Sequence, residues 1–283
     1  MADVLKSNKK RPVRCDMTDR KTWPLAVSFG AGKMNAADLT RMAENGIHEI
    51  ELSSGRLEPF TETLDYLNRA KEISVLAKSC GVNISSIHLP FGPFNLLDPA
   101  ARDADVRKKL IETQTGLINA AGEAGVTFAV IHPSGEPYQE EERAERLAIA
   151  VETIGILTET AKKAGMVMAL ENLPRTCLCR TSDEMLYFLD RIPDLRVVFD
   201  TNHSLTEANP HYIRAVGGKI VTLHVSDYDF IDERHQLPGA GKIDWEELIS
   251  TLEEVNYQGR FLYETGHPYE IYKQNYNMLM HIE

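Results

Sequence analysis

The sequence of 283 residues contains only four cysteines, Cys15, Cys80, Cys177 and Cys179, irregularly spaced. That is too few for a disulfide framework in a chain of this size, so reduced thiols are expected. Cys177 and Cys179, with no second pair, read as two loop cysteines rather than a metal clip. No run approaches the ~18 apolar residues of a membrane span, and the first twenty residues lack the apolar block of a secretory signal. A cytoplasmic protein with no membrane partner is predicted. Positive charge is in deficit as well: 31 Lys and Arg against 42 Asp and Glu leave a net charge of −11. Such a surface repels phosphate backbones, so nucleic acid is not an expected partner. Glycine, at 18, and proline, at 13, are too scarce for a fibrous or low-complexity chain.

What is present is an alternation. Residues 1–22 carry Lys6, Lys9, Lys10, Arg11 and Arg14 without apolar period and read as an N-terminal arm. Residues 23–283 read as one domain, in which eight short apolar runs recur: PLAVSFG (24–30), IHEIELSSG (47–55), NISSIHLPFG (83–92), TFAVIHPSG (127–135), VMALENLP (167–174), LRVVFDTNH (195–203), KIVTLHVSD (219–227) and RFLYETGHP (260–268). Stretches of helical spacing separate them, as with Leu147, Ala150, Ile154, Leu157 and Ala161. Glycines at 81, 125, 165 and 259 stand just before the next strand, where a helix ends cheaply in a left-handed residue. At about 33 residues per strand–helix unit the pattern suits βαβ steps. An open dinucleotide-binding sheet would show a third glycine after Gly30-Ala31-Gly32, but Lys33, Met34 and Asn35 follow. A single closed (β/α)8 barrel of the α/β class is therefore predicted, with its chemistry at the C-terminal ends of the strands.

Those ends are rich in metal-ligand types: His88, His132, Glu171 and Asn172, Asp200 and His203, His224 and Asp227, and Glu264, on strands three to eight. Each follows a buried apolar run, so each charge needs a partner in the bowl of the barrel. A divalent cation satisfies several such acids at once, whereas unpaired they would repel or neutralise one another. His88 and His132 read both ways, as ligands of a second metal and as substrate contacts. Glu51, on strand two, is expected to pair with a neighbouring Lys or Arg. Trp23, Phe91, Phe94 and Tyr228 are expected to serve packing.

The segments ALEN, VVFDTNHS, LHVSD, HQLPGAGKIDW and FLYE, in this order, resemble the sugar phosphate isomerase/epimerase group of the xylose isomerase-like TIM-barrel superfamily. The resemblance spans about residues 24–275. It implies one divalent metal (Mn, Co, Mg or Zn) held by Glu171, Asp200, His224 and Glu264, with His203 facing substrate. Where the ketose epimerase pattern has an arginine six residues past the strand-seven histidine, this chain has Phe230, and Arg234 is the cation expected instead. The apurinic endonuclease branch adds histidines for a three-metal cluster, matched here by His88, His132 and His235, but with Glu233 where that branch has aspartate.

The implied activity is isomerisation or epimerisation of a small carbohydrate. Glu171 and Glu264 would exchange protons on opposite faces of the sugar through a metal-stabilised enediolate. His88, His132, His203, Arg234 and His235 would steer its hydroxyls and protons. Two other outcomes fit the same residues: elimination from a 3-keto-glycoside, and endonuclease-like phosphodiester hydrolysis. The outer helices of such barrels often pair subunits, which is compatible with a homo-oligomer.

Overall fold

A computed structural model describes residues 21–30, 34–53 and 62–282, and of residues 62–68 and 70 the backbone alone. Apart from its last two residues, the expected N-terminal arm lies outside the described residues. Lys21 is tied to the barrel: its backbone N–H donates to Glu253 at 3.0 Å and its ammonium to the carbonyl of Tyr257 at 2.6 Å.

Strands and helices alternate as the apolar runs predict. The strands are β1 (Leu25–Gly30), β2 (Glu49–Ser53), β3 (Asn83–His88), β4 (Phe128–Ile131), β5 (Val167–Glu171), β6 (Arg196–Asp200), β7 (Ile220–His224) and β8 (Phe261–Tyr263). The helices are α1 (Ala36–Glu44), α2 (Glu62–Ser79), α3 (Ala104–Glu123), α4 (Arg143–Lys163), α5 (Ser182–Arg191), α6 (Asn209–Val216), α7 (Trp245–Glu254) and α8 (Tyr269–Leu279). Helix starts are set by side chains that accept from orphan N–H groups, Asn35 for α1, Asp103 for α3, Thr181 for α5 and Asp244 for α7.

All strand pairs are parallel, in the order β7-β6-β5-β4-β3-β2-β1-β8. The ring closes where Val225 pairs with Tyr263 and its N–H donates to the carbonyl of Leu262 at 2.7 Å. This is the TIM-barrel class expected from the sequence. Leu39, Leu117, Ile154, Phe188, Ile213 and Leu252 are fully buried between helices and barrel. The expected helix stripe is confirmed in α4, where Ala150, Ile154, Leu157 and Ala161 are all buried.

Gly81, Gly125 and Gly165 adopt positive φ between helix and strand, as expected. Gly259 does not. Asn256 takes the left-handed position after α7 (φ 55°), and Gly259 is required instead by close approach, since a Cβ there would run into the Val221 carbonyl and the Tyr257 ring.

Two register shifts bear on the mouth of the barrel. Between β2 and β3, Ile50 pairs with Ile84 but Glu51 with Ser86. Between β6 and β7, Val197 pairs with Ile220 but Val198 with Thr222. Irregularities of this kind re-aim the side chains that follow. Side chains two residues apart on a strand share a face, so Val130, Ala169 and Val198 lie one layer below His132, Glu171 and Asp200. They are fully buried and pack together as an apolar floor.

Candidate active site

The acidic and imidazole side chains predicted at the strand ends stand where strands terminate. His88, Glu171, Asp200 and His224 are the last residues of β3, β5, β6 and β7, while His132 and Glu264 lie one residue beyond β4 and β8. One ligand atom from each of Glu171, Asp200, His224 and Glu264 falls within 4.8 Å of the others.

Glu171 is the hub. Its Oε1 is 3.0 Å from Nδ1 of His224 and 3.5 Å from Nδ1 of His203, and its Oε2 is 3.1 Å from Nε2 of His88 and 3.3 Å from Nε2 of His132. Burial pushes the Glu171 carboxyl up, but His224, His132 and His88 outweigh it and hold the group well below the usual carboxylate range. Asp200 behaves oppositely: burial, countered in part by His203 and reinforced by Glu264 and Glu171, pushes it up to about 7. Its Oδ1 accepts from the N–H of Asn202 at 2.6 Å, whereas the buried Oδ2 has no hydrogen-bond partner beyond a 3.5 Å approach by His203. Against burial, Glu51, Glu264 and Glu171 raise His224 well above the ordinary imidazole value. Glu264, 26% exposed, is the open member of the set. It lines a groove of about 440 Å³ with Ser28, Phe29, Ser53 and His235.

Three carboxylates and one imidazole on a cluster with an orphaned, buried carboxylate oxygen suit an oxygen-preferring divalent cation. Among the described residues three further groups have donor atoms equally close together: His88, His132 and Glu171; His88, His224 and Glu264; and His203, Glu233 and His235.

The surrounding histidines are held by defined partners. Nδ1 of His88 donates to the carbonyl of Leu89 at 2.9 Å, and the ring is pushed up to about 8 by Glu171 and Glu51 against burial. His132 stacks on Phe91 at 4.5 Å, and burial lowers it. Phe91 thus packs against a site ring, while Trp23 and Tyr228 are core residues, as expected. His235 lies at the rim, 43% exposed, 3.2 Å from the Glu264 carbonyl. The guanidinium of Arg234 is paired with Asp229 at 2.9 Å on its own loop and is 41% exposed.

Three strand-end assignments change. Among the described residues Glu51 pairs with neither Lys nor Arg. It is fully buried on β2, with Oε1 3.1 Å from Nε2 of His224 and Oε2 accepting from Ser86 at 2.9 Å. Its signal was in the sequence, because EIELSS places an acid within an apolar run just as MALEN does. Asp227 belongs to the β7–α7 loop rather than the cluster: it accepts from the N–H groups of Gly239 and Ile243 and from the indole of Trp245 at 2.8, 3.1 and 2.9 Å. Asn172 clamps β6, its amide donating to the carbonyl of Asp200 and its oxygen accepting from the N–H of Asp200. Arg175 has no motif to announce it, yet it binds Glu136, Asp232 and Glu233 and ties three loops of the rim together.

An eight-stranded parallel barrel with acids and imidazoles converging at its C-terminal mouth defines a metal-capable TIM barrel. The chain belongs to the xylose isomerase-like TIM-barrel family, which it matches over residues 39–281. At 30% identity it aligns with an uncharacterised protein of Methanocaldococcus jannaschii and with a D-psicose 3-epimerase of Enterocloster bolteae, over 59% and 40% of this chain. It spans 60% and 38% of the length of those relatives. A fructoselysine 3-epimerase of Shigella flexneri is 26% identical over 77% of this chain and 80% of its own length. Among solved structures, a D-tagatose 3-epimerase-like protein shares the fold with a TM-score of 0.76 at 24% identity, over 92% of this chain and 97% of that one. No helix among the described residues is long and apolar enough to cross a membrane.

Proposed function

We propose that the protein is a divalent-metal-dependent epimerase or isomerase of a small carbohydrate. The observation that carries this reading is the convergence of Glu171, Asp200, His224 and Glu264 within 4.8 Å. The epimerase relatives support the substrate class. The four side chains would hold the cation, with Mn, Co, Mg and Zn all compatible with their chemistry. When bound, it supplies Lewis acidity to a sugar carbonyl and its neighbouring hydroxyl, which acidifies the C–H between them.

The protein's own groups handle the protons. Glu264 opens to the groove and is the residue able to meet a substrate C–H from the solvent side. Glu171 lies on the floor, kept anionic by the imidazoles around it, and faces the sugar from below. Removal by one and return by the other on the opposite face inverts a carbon, and return to the adjacent carbon isomerises the sugar instead. His132 and His235 border this position and would orient hydroxyls, whereas His88 and His203 have both ring nitrogens engaged by protein acceptors and would do so only by releasing one. Arg234 can join them only by leaving Asp229.

Elemental analysis of the purified protein, followed by incubation with a panel of ketoses in deuterated water, tests the reading. One ion per chain and deuterium at a single sugar carbon are expected. A protein that takes up no divalent ion, or exchanges no proton with any ketose, would defeat it. A second reading, phosphodiester hydrolysis, is favoured only by the three additional donor groups around His88 and His203. It requires two or three ions per chain and nicking of abasic DNA, and the net charge of −11 opposes it.

A further inference from the structure

We propose that Glu51 is a positioning residue that grips the Nε2 edge of His224, so that Nδ1 is presented to the cation site. The inference rests on the metal-dependent reading above and extends it to a residue outside the four ligands.

Nδ1 of His224 faces Glu171 at 3.0 Å and Glu264 at 3.4 Å, so this nitrogen lies on the side where the four donor atoms converge. Nε2 points the other way, to Oε1 of Glu51 at 3.1 Å. Both atoms are buried; their 3.1 Å approach is not directed well enough to count as a hydrogen bond in the metal-free ring, and neither has another partner among the described residues. Leaving two such groups unpaired is costly, so the contact is built rather than incidental. The other carboxylate oxygen is fixed by Ser86 at 2.9 Å, and the register shift at Ile50/Glu51 brings Glu51 opposite Ser86.

The chemistry follows from how a ring nitrogen binds a metal. A ligating imidazole must offer a lone pair at one nitrogen and so carries its proton on the other. A carboxylate accepting that N–H fixes the tautomer, holds the ring plane and makes the ligating nitrogen more basic. A carboxylate at this position is a poor choice for mere packing: fully buried on a strand, it would otherwise need a cation, and among the described residues no Lys or Arg ion pair reaches it.

The test uses zinc alone, without substrate. Glu51→Leu keeps the bulk and removes the acceptor, while Glu51→Gln keeps an acceptor for His224 and a donor for Ser86. Zinc affinity, measured by competition with a chelator, should fall about 10- to 100-fold in E51L and stay within about threefold of native in E51Q. In zinc-loaded protein with nitrogen-15 labelled histidine, the His224 ring proton should sit on Nε2 at low field in the native and E51Q proteins, and lose that shift in E51L. Native affinity in E51L, or a native ring protonated on Nδ1, overturns the role of Glu51 and leaves the metal site standing. Failure of the native chain to bind zinc, manganese or cobalt overturns both. Should E51L not fold, Ser86→Ala carries the test, with affinity expected to drop about 2- to 10-fold, the range one hydrogen bond converts to; no change there overturns the proposal.

Discussion

Nε2 of His203 stands 2.8 Å from the carboxylate of Glu233, and Nδ1 of the same ring stands 2.9 Å from the carbonyl oxygen of Asn172. Both partners only accept hydrogen bonds, so both nitrogens donate and the ring is an imidazolium. Burial opposes that charge, but Asp200, Glu233 and Glu171 raise the ring to about 10, while burial's upward push on Glu233 is overcome by His203 and Arg175, which hold it at about 2.

A pH dependence of stability follows. In the unfolded chain His203 returns to its ordinary value of about 6.5, below its folded value. Its contribution is therefore complete below pH 6.5 and is lost as pH rises through about 10. Calorimetry of the metal-free protein should show the melting temperature falling between pH 7 and 10, by about 2–4 °C for each kcal/mol lost. In His203→Asn that slope should flatten; equal slopes would contradict the assignment.

Cation binding should have its own pH dependence. Asp200 is pushed up to about 7, so a proton occupies the carboxylate that a cation needs below that pH. Manganese affinity by isothermal titration should weaken by about tenfold or more per pH unit below 7, since His224 must also give up a proton. A flat profile between pH 5.5 and 7 would argue against these ligands.

Replacing Glu264 by Gln preserves size and one oxygen for coordination but removes the proton acceptor open to the groove. Turnover on whichever ketose proves to be a substrate should fall about 10²- to 10⁴-fold, with the metal still present on elemental analysis. Unchanged turnover would take the acid/base role from this residue.

The β7–α7 loop, which carries Glu233 and His235, hangs on Asp227. Asp227→Ala strands the backbone N–H groups of Tyr228, Gly239 and Ile243 and the Trp245 indole without their acceptor, and urea unfolding should register a loss of about 3 kcal/mol or more. Gly241→Ala should damage the same loop, because a Cβ at that position would strike Asp227 and the Tyr228 backbone. A native urea midpoint in either variant would show that the loop does not depend on this anchor.

Much of the site was legible in sequence because strand-end residues obey a simple grammar: an apolar run buries the backbone, and the polar residue that ends it must stand at the barrel mouth. Glu171, Asp200, His224 and Glu264 follow that grammar and converge. Asp227 follows it too and does something else, since three residues beyond β7 the chain has already turned into its loop. The role of Glu51 is not legible in sequence because a lone acid on a strand does not reveal its partner, which lies 173 residues away. Arg175 was invisible, as the rim loops it joins meet only in the folded barrel.

Local sequence was sufficient for the alternation of strand and helix, the closure into a barrel and the depth at which each polar side chain sits. These depend on periodicity and on the cost of burying a charge, both of which act over a few residues. Pairing was decided by the tertiary structure alone. Which nitrogen of His224 meets Glu51, which carboxyl is held anionic and which is driven toward protonation depend on distances of 3–4 Å between strands far apart in the chain. At that range in a buried site the loss of hydration and the charges of neighbours together outweigh any residue's intrinsic preference.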